Sequence, residues 1–192
     1  MDIILPQPCK SGGMPLMEAI SCRRSHREYE DKDLDLQTLA DLLWAAWGYV
    51  SKSRRSAPSS HNRQEIDLYL FMRNGVYLYD AAENILRMKD ERDLREATGL
   101  QPYVAGAALN IVMVSDTSKI TGKTPQGIIE ATYADTGFIS QNIYLYCASK
   151  GLGSVIRAMI DKERLASLLN LSDTQIITLV HTVGVKAEAN HS

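Results

Sequence analysis

The stretch TPQGIIEATYADTGFISQNIYLYCASK, residues 124–150, decides the fold. As a helix it would be about 40 Å long at ~1.5 Å per residue, and Gly151 and Gly153 follow as its stop. Apolar or small residues occupy most of its circumference, namely Ile128, Ile129, Ala131, Ala134, Phe138, Ile139, Ile143, Leu145 and Cys147. Since a helix that is apolar nearly all round must be buried on several sides, we predict a long buried helix, for which a dimer interface is one form of cover.

Shorter helices and strands alternate around this helix. Apolar residues at helical spacing predict helices over residues 15–23 and 36–49, the second capped near Asp35. The other predicted elements are strands over 66–72 and 76–79 joined as a hairpin at Gly75, a short charged helix over 90–98, strands over 109–114, 155–160 and 176–185, and a helix from Asp161 to about residue 169. This mixture predicts an α+β (mixed α/β) fold.

Composition limits the classes of function. The chain has 192 residues, of which 45% are hydrophobic, and no repeat or linker divides it. We therefore expect one domain over residues 1–192, with an extended N-terminal arm over 1–13 and a disordered tail over 187–192. The formal net charge of −2 gives no general reason to expect nucleic acid or an anionic membrane as a partner.

Cysteine content and hydropathy bear on the compartment. The three cysteines are widely spaced, and no apolar run approaches the ~20 residues of a membrane span. The first 13 residues lack the basic-then-apolar layout of a signal peptide. We expect a cytoplasmic protein.

Two segments carry candidate binding chemistry. Arg23-Arg24-Ser25-His26-Arg27 places three guanidinium groups and a hydroxyl at a helix exit, and guanidinium forks bind phosphate oxygens in pairs. The loop 54–64 combines small residues and Pro58 with amide side chains, which match the donor and acceptor edge of a heterocycle. From these residues alone, a solvated basic loop and an ordinary surface loop remain open as alternatives.

Other chemistries are weaker. Gly122-Lys123-Thr124 follows a strand and opens a helix, as in a phosphate-binding loop, but Thr117 stands where that motif needs glycine. A nucleotide phosphatase remains an alternative on that basis. Gly151-x-Gly153 lacks the third glycine of a dinucleotide fingerprint. No metal site is predicted, because metal-ligand spacing is absent among His26, His61, His181 and His191.

Taken in order, the motifs resemble those of the nitroreductase family of FMN enzymes. They are Arg23-Arg24-Ser25-x-Arg27-x-Tyr29, then Ala57-Pro58-Ser59-x-x-Asn62-x-Gln64, then Gln141-Asn142 with Gly151-Leu152-Gly153-Ser154-Val155 through Asp161. The resemblance extends from about residue 5 to 185. The segments Leu5-Pro6, 43–46 and 64–69 are most similar to a branch that includes dehydrogenases of peptide thiazolines and oxazolines.

The resemblance implies a nitroreductase-like FMN-binding fold. Its central, mostly antiparallel sheet is flanked by helices, and FMN sites lie at a homodimer interface. It implies Arg23, Arg24 and Ser25 on the FMN phosphate and ribityl chain, with Arg27 near the N1/O2 side of the ring. Further implied cofactor-binding residues are Pro58, Ser59, Ser60, Asn62, Gln64, Ile156, Arg157, Ala158, Met159 and, as a C-terminal phosphate cation, Lys186.

The resemblance also implies a reaction. Hydride passes from NAD(P)H through flavin N5 to a small nitro or quinone acceptor in ping-pong turnover, and no side chain acts as acid or base. A dehydrogenase of a peptide heterocycle and a non-catalytic flavin-binding protein are the alternatives. One departure from the family is Glu65-Ile66, where Pro-Trp is frequent.

Overall fold

The computed structural model describes residues 1–187, so residues 188–192 of the predicted tail lie outside the described part. In chain order the elements are β1 (Ile3–Ile4), α1 (Leu16–Cys22), α2 (Leu36–Trp47), β2 (Tyr49–Ser51), β3 (Arg54–Arg55), β4 (Ile66–Met72), β5 (Gly75–Asp80), β6 (Ile85–Asp90), β7 (Leu109–Asp116), α3 (Pro125–Ser149), β8 (Leu152–Arg157), α4 (Lys162–Leu168) and β9 (Gln175–Val185). Single 3-10 turns lie at Ser60–Asn62, Arg95–Thr98, Pro102–Val104 and Thr117–Lys119.

The long helix predicted over residues 124–150 is present as α3. The Thr124 side chain caps it by accepting from the Gly127 amide, and Gly151, at φ +71°, follows its end. Ile139 and Ile143 are fully buried against the sheet, whereas Phe138 remains 47% exposed. One chain therefore covers only part of the apolar circumference of this helix.

The central sheet has seven strands in the order β1-β6-β5-β4-β7-β9-β8, and every pairing is antiparallel. This confirms the predicted α+β class with an antiparallel sheet flanked by helices. β7 is buried on both faces: Ile111 and Met113 face the core under α2 and α3, and Val112 and Val114 face a second core under α4. The period of two in a strand accounts for this alternation. The prediction of a single domain stays a prediction.

Residues 85–98 differ from the prediction. The expected charged helix over 90–98 is wrong, because strand β6 runs to Asp90 and only a 3-10 turn follows at Arg95–Thr98. Asp93 binds both the amide and the guanidinium of Arg95, whose Nη1 also donates to the Ala107 carbonyl at 2.8 Å. Pairing of β6 with β5 and β1 outweighs the local helix propensity of the charged residues.

The strand after α3 also begins earlier than predicted. It covers residues 152–157 in place of 155–160, so Gly153 lies inside the strand and does not end the helix. A Cβ at Gly153 would lie 3.1 Å from the Tyr29 ring, so the absence of a side chain permits this close approach. Ala158 and Met159 lie beyond the strand and are exposed.

The first residues of the predicted N-terminal arm contact the sheet. Ile3–Ile4 pairs with β6, and Leu5 is buried. The predicted apolar stripe of α1 is mostly uncovered, because only Ala19 is buried. Within residues 1–187, no helix has the length and apolar character that crossing a bilayer requires.

Candidate functional site

The basic segment after α1 is bonded to the edge of the sheet. The His26 amide donates to the Ser154 carbonyl of β8 at 2.9 Å, and the Glu30 amide donates to the Val185 carbonyl of β9 at 3.0 Å. These bonds hold the backbone of residues 26–30 beside the two strands. The backbone on both sides of Arg27 is therefore hydrogen-bonded to the sheet.

The cations of this cluster have no carboxylate partner among the described residues. The salt bridges of residues 1–187 involve other arginines, namely Arg73, Arg87, Arg92 and Arg95. Arg24 donates to the backbone carbonyls of Ser21 and Arg23, and Arg27 is exposed. Guanidinium groups without a carboxylate partner, on residues that flank Ser25 in the chain, form the kind of donor set that a phosphate requires.

Lys186 lies close to this cluster. It forms a backbone bridge with Tyr29, and a Cβ at Gly153 would lie 3.2 Å from His26 Cβ and 3.3 Å from Lys186 Cγ. Burial, and then the charge of Lys186, lower the pKa of His26. Lys186 thus adds a fourth cation next to the three arginines of the cluster.

Tyr144 of α3 links the cluster to the sheet, and sequence reasoning missed it. Its phenol oxygen lies 3.0 Å from Ser25 Oγ and accepts a hydrogen bond from the Ile156 amide at 3.0 Å. The Arg23 guanidinium lies 5.3 Å from the centre of its ring, and the His181 ring packs edge-on at 4.6 Å. A buried tyrosine needs a partner for its hydroxyl, which is the signal that could have identified it in the apolar helix.

The predicted residues of β8 point in different directions. The Ile156 side chain packs against the core beneath α3, and its backbone amide donates to Tyr144. The next side chain, Arg157, lies on the opposite face of the sheet. The Arg157 guanidinium is buried there in a network of neutral acceptors: the Thr98 carbonyl and the side chains of Gln101, Asn110 and Thr182. Only its backbone remains available to a ligand on the α3 side.

The loop 58–64 forms a separate group. The Ser60 amide donates to Asp135 of α3 at 2.8 Å, and the amide side chains of Asn62 and Gln64 both donate to the Ser53 carbonyl. His61, Asn62 and Gln64 have φ between 53° and 54°, which is a costly conformation for residues other than glycine. Strain of this kind persists where the surroundings hold the backbone, as they do here.

A wide cleft of about 700 Å³ opens beside this loop. Its lining residues are Val50, Ser53, Arg54, Arg55, Ser56, Ala57, Pro58, Ser59 and Asn62. Arg55 stacks on the Tyr49 ring at 3.9 Å and donates to Gln64 Oε1 at 3.0 Å. Three predicted ligand-binding residues, Pro58, Ser59 and Asn62, therefore share a cleft with two arginines.

The two groups of predicted residues contact different sides of α3. Ser60 is bonded to Asp135 and Ser25 to Tyr144. Tyr144 follows Asp135 by nine positions on α3, which corresponds to roughly 13 Å along the axis and places the two residues about half a turn apart around it. The described hydrogen bonds of one chain do not join the groups.

Glu65 is a buried acid that the sequence analysis noted only as a departure from the family pattern. It is 1% exposed, and its carboxyl oxygens have no hydrogen-bond partner among the described residues. Burial, opposed in part by a backbone hydrogen bond, and the neighbouring Asp135 carboxylate raise the pKa of Glu65 to about 7. The two acids and the Ser60 amide form one unit beneath the loop.

The phosphate-loop alternative has little structural support. A 3-10 turn at Thr117–Lys119 intervenes between β7 and Gly122. The Thr124 hydroxyl accepts from the Gly127 amide at 3.1 Å and so caps α3. A structural cap accounts for this threonine without a nucleotide.

Comparison with known proteins was made on both sequence and fold. Residues 20–185 match the model of the nitroreductase family. A protein of Methanocaldococcus jannaschii assigned to the nitroreductases is 27% identical over 185 residues, which is 90% of this chain and 92% of that protein. A crystal structure from Ralstonia eutropha, also assigned to the nitroreductases, has a TM-score of 0.91 and 37% identity over 97% of this chain and 90% of that chain.

A more distant structure shares the fold alone. A chain of the E. coli microcin synthetase complex, solved with truncated pro-MccB17 bound, has a TM-score of 0.74. It is 19% identical over 97% of this chain and 79% of that chain.

Proposed function

The chain belongs to the nitroreductase family of flavin-using oxidoreductases, and from that premise we propose that it binds FMN and transfers hydride from NAD(P)H to a small organic acceptor. The observation that carries this proposal is the cluster of Arg23, Arg24, Arg27 and Lys186, which has no carboxylate partner among residues 1–187. Cations left unpaired beside a hydroxyl fit a bound phosphate group.

The residues of the cluster have separate tasks in this proposal. Arg23, Arg24 and Ser25 hold the phosphate and ribityl chain, and Lys186 adds charge to the phosphate side. Arg27, which is exposed and extends from a fixed backbone, lies toward the N1/O2 side. When bound, FMN supplies the hydride chemistry, and the protein positions and tunes it.

The second group of residues comes from another subunit in this proposal. The loop 58–64 and the cationic cluster lie on different sides of α3 in one chain. Large apolar side chains are exposed on α1 and α3: Leu16 by 63%, Met17 by 75%, Ile20 by 46% and Phe138 by 47%. We infer a homodimer that covers these side chains and brings Asn62 and Gln64 of the loop to the ring edge.

The visible spectrum of the purified protein tests the proposal. We expect a yellow protein with flavin absorbance that is bleached by anaerobic NADPH or NADH and restored by a quinone. Protein that stays colourless after incubation with FMN would overturn the proposal. Bound flavin that no nicotinamide nucleotide bleaches would indicate either the non-catalytic binder or the peptide-heterocycle dehydrogenase, and bleaching by a thiazoline peptide would identify the dehydrogenase.

A further inference from the structure

The hairpin formed by β2 and β3 concentrates positive charge at the cleft. Between residues 49 and 64 the sequence has four cations, Lys52, Arg54, Arg55 and Arg63, and neither aspartate nor glutamate. The whole chain, in contrast, has a net charge of −2. This local excess occurs next to the residues assigned to the flavin ring.

The four cations differ in how they are engaged. Arg63 donates to the Thr121 carbonyl and to Ser60, and Arg55 is held by its stacking on Tyr49 and its bond to Gln64. Arg54, in contrast, lines the cleft, is exposed, and has no hydrogen bond or salt bridge from its side chain to any described residue. Its charge is therefore available to a ligand.

The rest of the cleft suits a planar molecule with an acidic group. No carboxylate of residues 1–187 lines it, and Val50, Ala57 and Pro58 form an apolar wall. A free guanidinium beside apolar surface matches a carboxylate, sulfonate or phosphate carried by an aromatic body.

We propose that this cleft recognises an anionic group of the substrate through Arg54, so that the physiological substrate is an acidic planar molecule. The inference rests on the proposed function for its placement next to the flavin. The anionic group that Arg54 binds belongs either to an acidic acceptor or to the nicotinamide nucleotide, whose phosphate has the same chemistry.

Binding without turnover tests the recognition step directly. Isothermal titration of the flavin-loaded protein would use 2-naphthoate, with neutral 2-naphthamide as the matched ligand. We expect Arg54→Gln to weaken 2-naphthoate binding about tenfold, as for loss of a charge-assisted hydrogen bond, and to leave 2-naphthamide unchanged. Lys52→Gln removes the same charge from the same hairpin outside the cleft lining, and it should change neither ligand.

Turnover then identifies the source of the anion. With 1,4-naphthoquinone and its 2-sulfonate as acceptors, each takes one hydride and one proton from NAD(P)H and solvent to give the hydroquinone and NAD(P)⁺. A fall in kcat/KM confined to the sulfonate in Arg54→Gln assigns the anion to the acceptor. A rise in KM confined to the nucleotide assigns it to that phosphate.

Several results would overturn the inference. The first is 2-naphthoate binding that is unchanged in Arg54→Gln. The second is an equally large loss of binding in Lys52→Gln, since that would indicate attraction by the overall positive charge of the hairpin and not a specific contact with Arg54. Because 2-naphthoate binding requires no hydride transfer, a failure of the proposed enzymatic function would appear separately, as missing turnover with both quinones.

Discussion

The phenol oxygen of Tyr144 lies 3.0 Å from Ser25 Oγ, and it joins the segment after α1 to the long helix. The same oxygen accepts from the Ile156 amide. One side chain thus connects the three parts of the chain from which the cationic side of the site is built. Its position couples the packing of α3 to the geometry of the cluster.

Loss of this hydroxyl should loosen the cofactor more than it unfolds the protein. In Tyr144→Phe, the Ile156 amide loses its partner; a fully buried unsatisfied amide costs about 1–3 kcal/mol, and this partly buried one should cost less. We expect weaker FMN binding, by a few-fold to about tenfold in the dissociation constant measured by flavin fluorescence, with a small drop in Tm. Tyr133→Phe on the same helix, which removes only a bond to Lys162, is the control and should retain FMN normally.

Arg27 should raise the reduction potential of the bound flavin. Reduction of the ring places negative charge near N1/O2, and a fixed cation there stabilises the reduced form. Arg27→Ala should retain some FMN and have a more negative midpoint potential in an anaerobic dye titration. A midpoint potential equal to that of the unmodified protein would contradict this assignment.

Arg23, unlike Arg27, should mainly affect how tightly FMN is bound. Its guanidinium lies against the Tyr144 ring next to Ser25, so its loss would remove the phosphate contact that we propose for it. Arg23→Ala is expected to lose FMN during purification, measured as the flavin-to-protein absorbance ratio. Arg92→Ala, which removes an exposed arginine paired with Asp90, serves as the control, and undiminished flavin in Arg23→Ala would refute the role.

Glu65 predicts a pH dependence of stability. Its pKa is raised to about 7 in the folded state from an ordinary value of 4.5, chiefly by burial. The folded state therefore binds more protons than the unfolded state between these values, and the free energy of unfolding falls as pH rises from about 4.5 to 7. The slope from one group is at most about 1.4 kcal/mol per pH unit.

In Glu65→Gln, the free energy of unfolding should no longer fall as pH rises from about 4.5 to 7. Denaturant titrations at pH 5, 6, 7 and 8 would measure it, and Glu91→Gln, which alters an exposed side chain, is the matched control. An identical pH slope in Glu65→Gln and in the unmodified protein would show that Glu65 does not titrate in this range.

The exposed apolar face should mediate dimerisation. Phe138 lies on α3 and is 47% exposed in one chain, so an added charge there would be buried at the proposed interface at high cost. Phe138→Asp should shift the protein toward monomer in analytical ultracentrifugation and lower its flavin content. Leu100→Asp, at another exposed apolar residue, is a comparison, and a Phe138→Asp protein that remains fully dimeric would exclude this face.

Helices and strands could be predicted from the sequence wherever they depend on residues that are close together in the chain. The helical spacing in α2 and α3, together with caps at Asp35 and Thr124, depends on neighbours within a few residues. β6 could not be predicted this way, because its pairing with β5 and β1 outweighs the helix propensity of its charged residues. The same holds for β8, where Gly153 is required by the approach of Tyr29 from a distant segment.

The sequence by itself determined the family-like order of the motifs, the α+β class and the identity of the cationic cluster, because these depend on residue type and local spacing. Only the tertiary structure decided which residues meet. It joined Ser25 and Ile156 through Tyr144 and turned Arg157 to the opposite face of the sheet. It also separated the loop 58–64 from the cluster across α3 and left Arg54 in the cleft without a side-chain partner among residues 1–187. Contacts between residues far apart in the chain depend on strand register and helix packing, which local patterns do not specify.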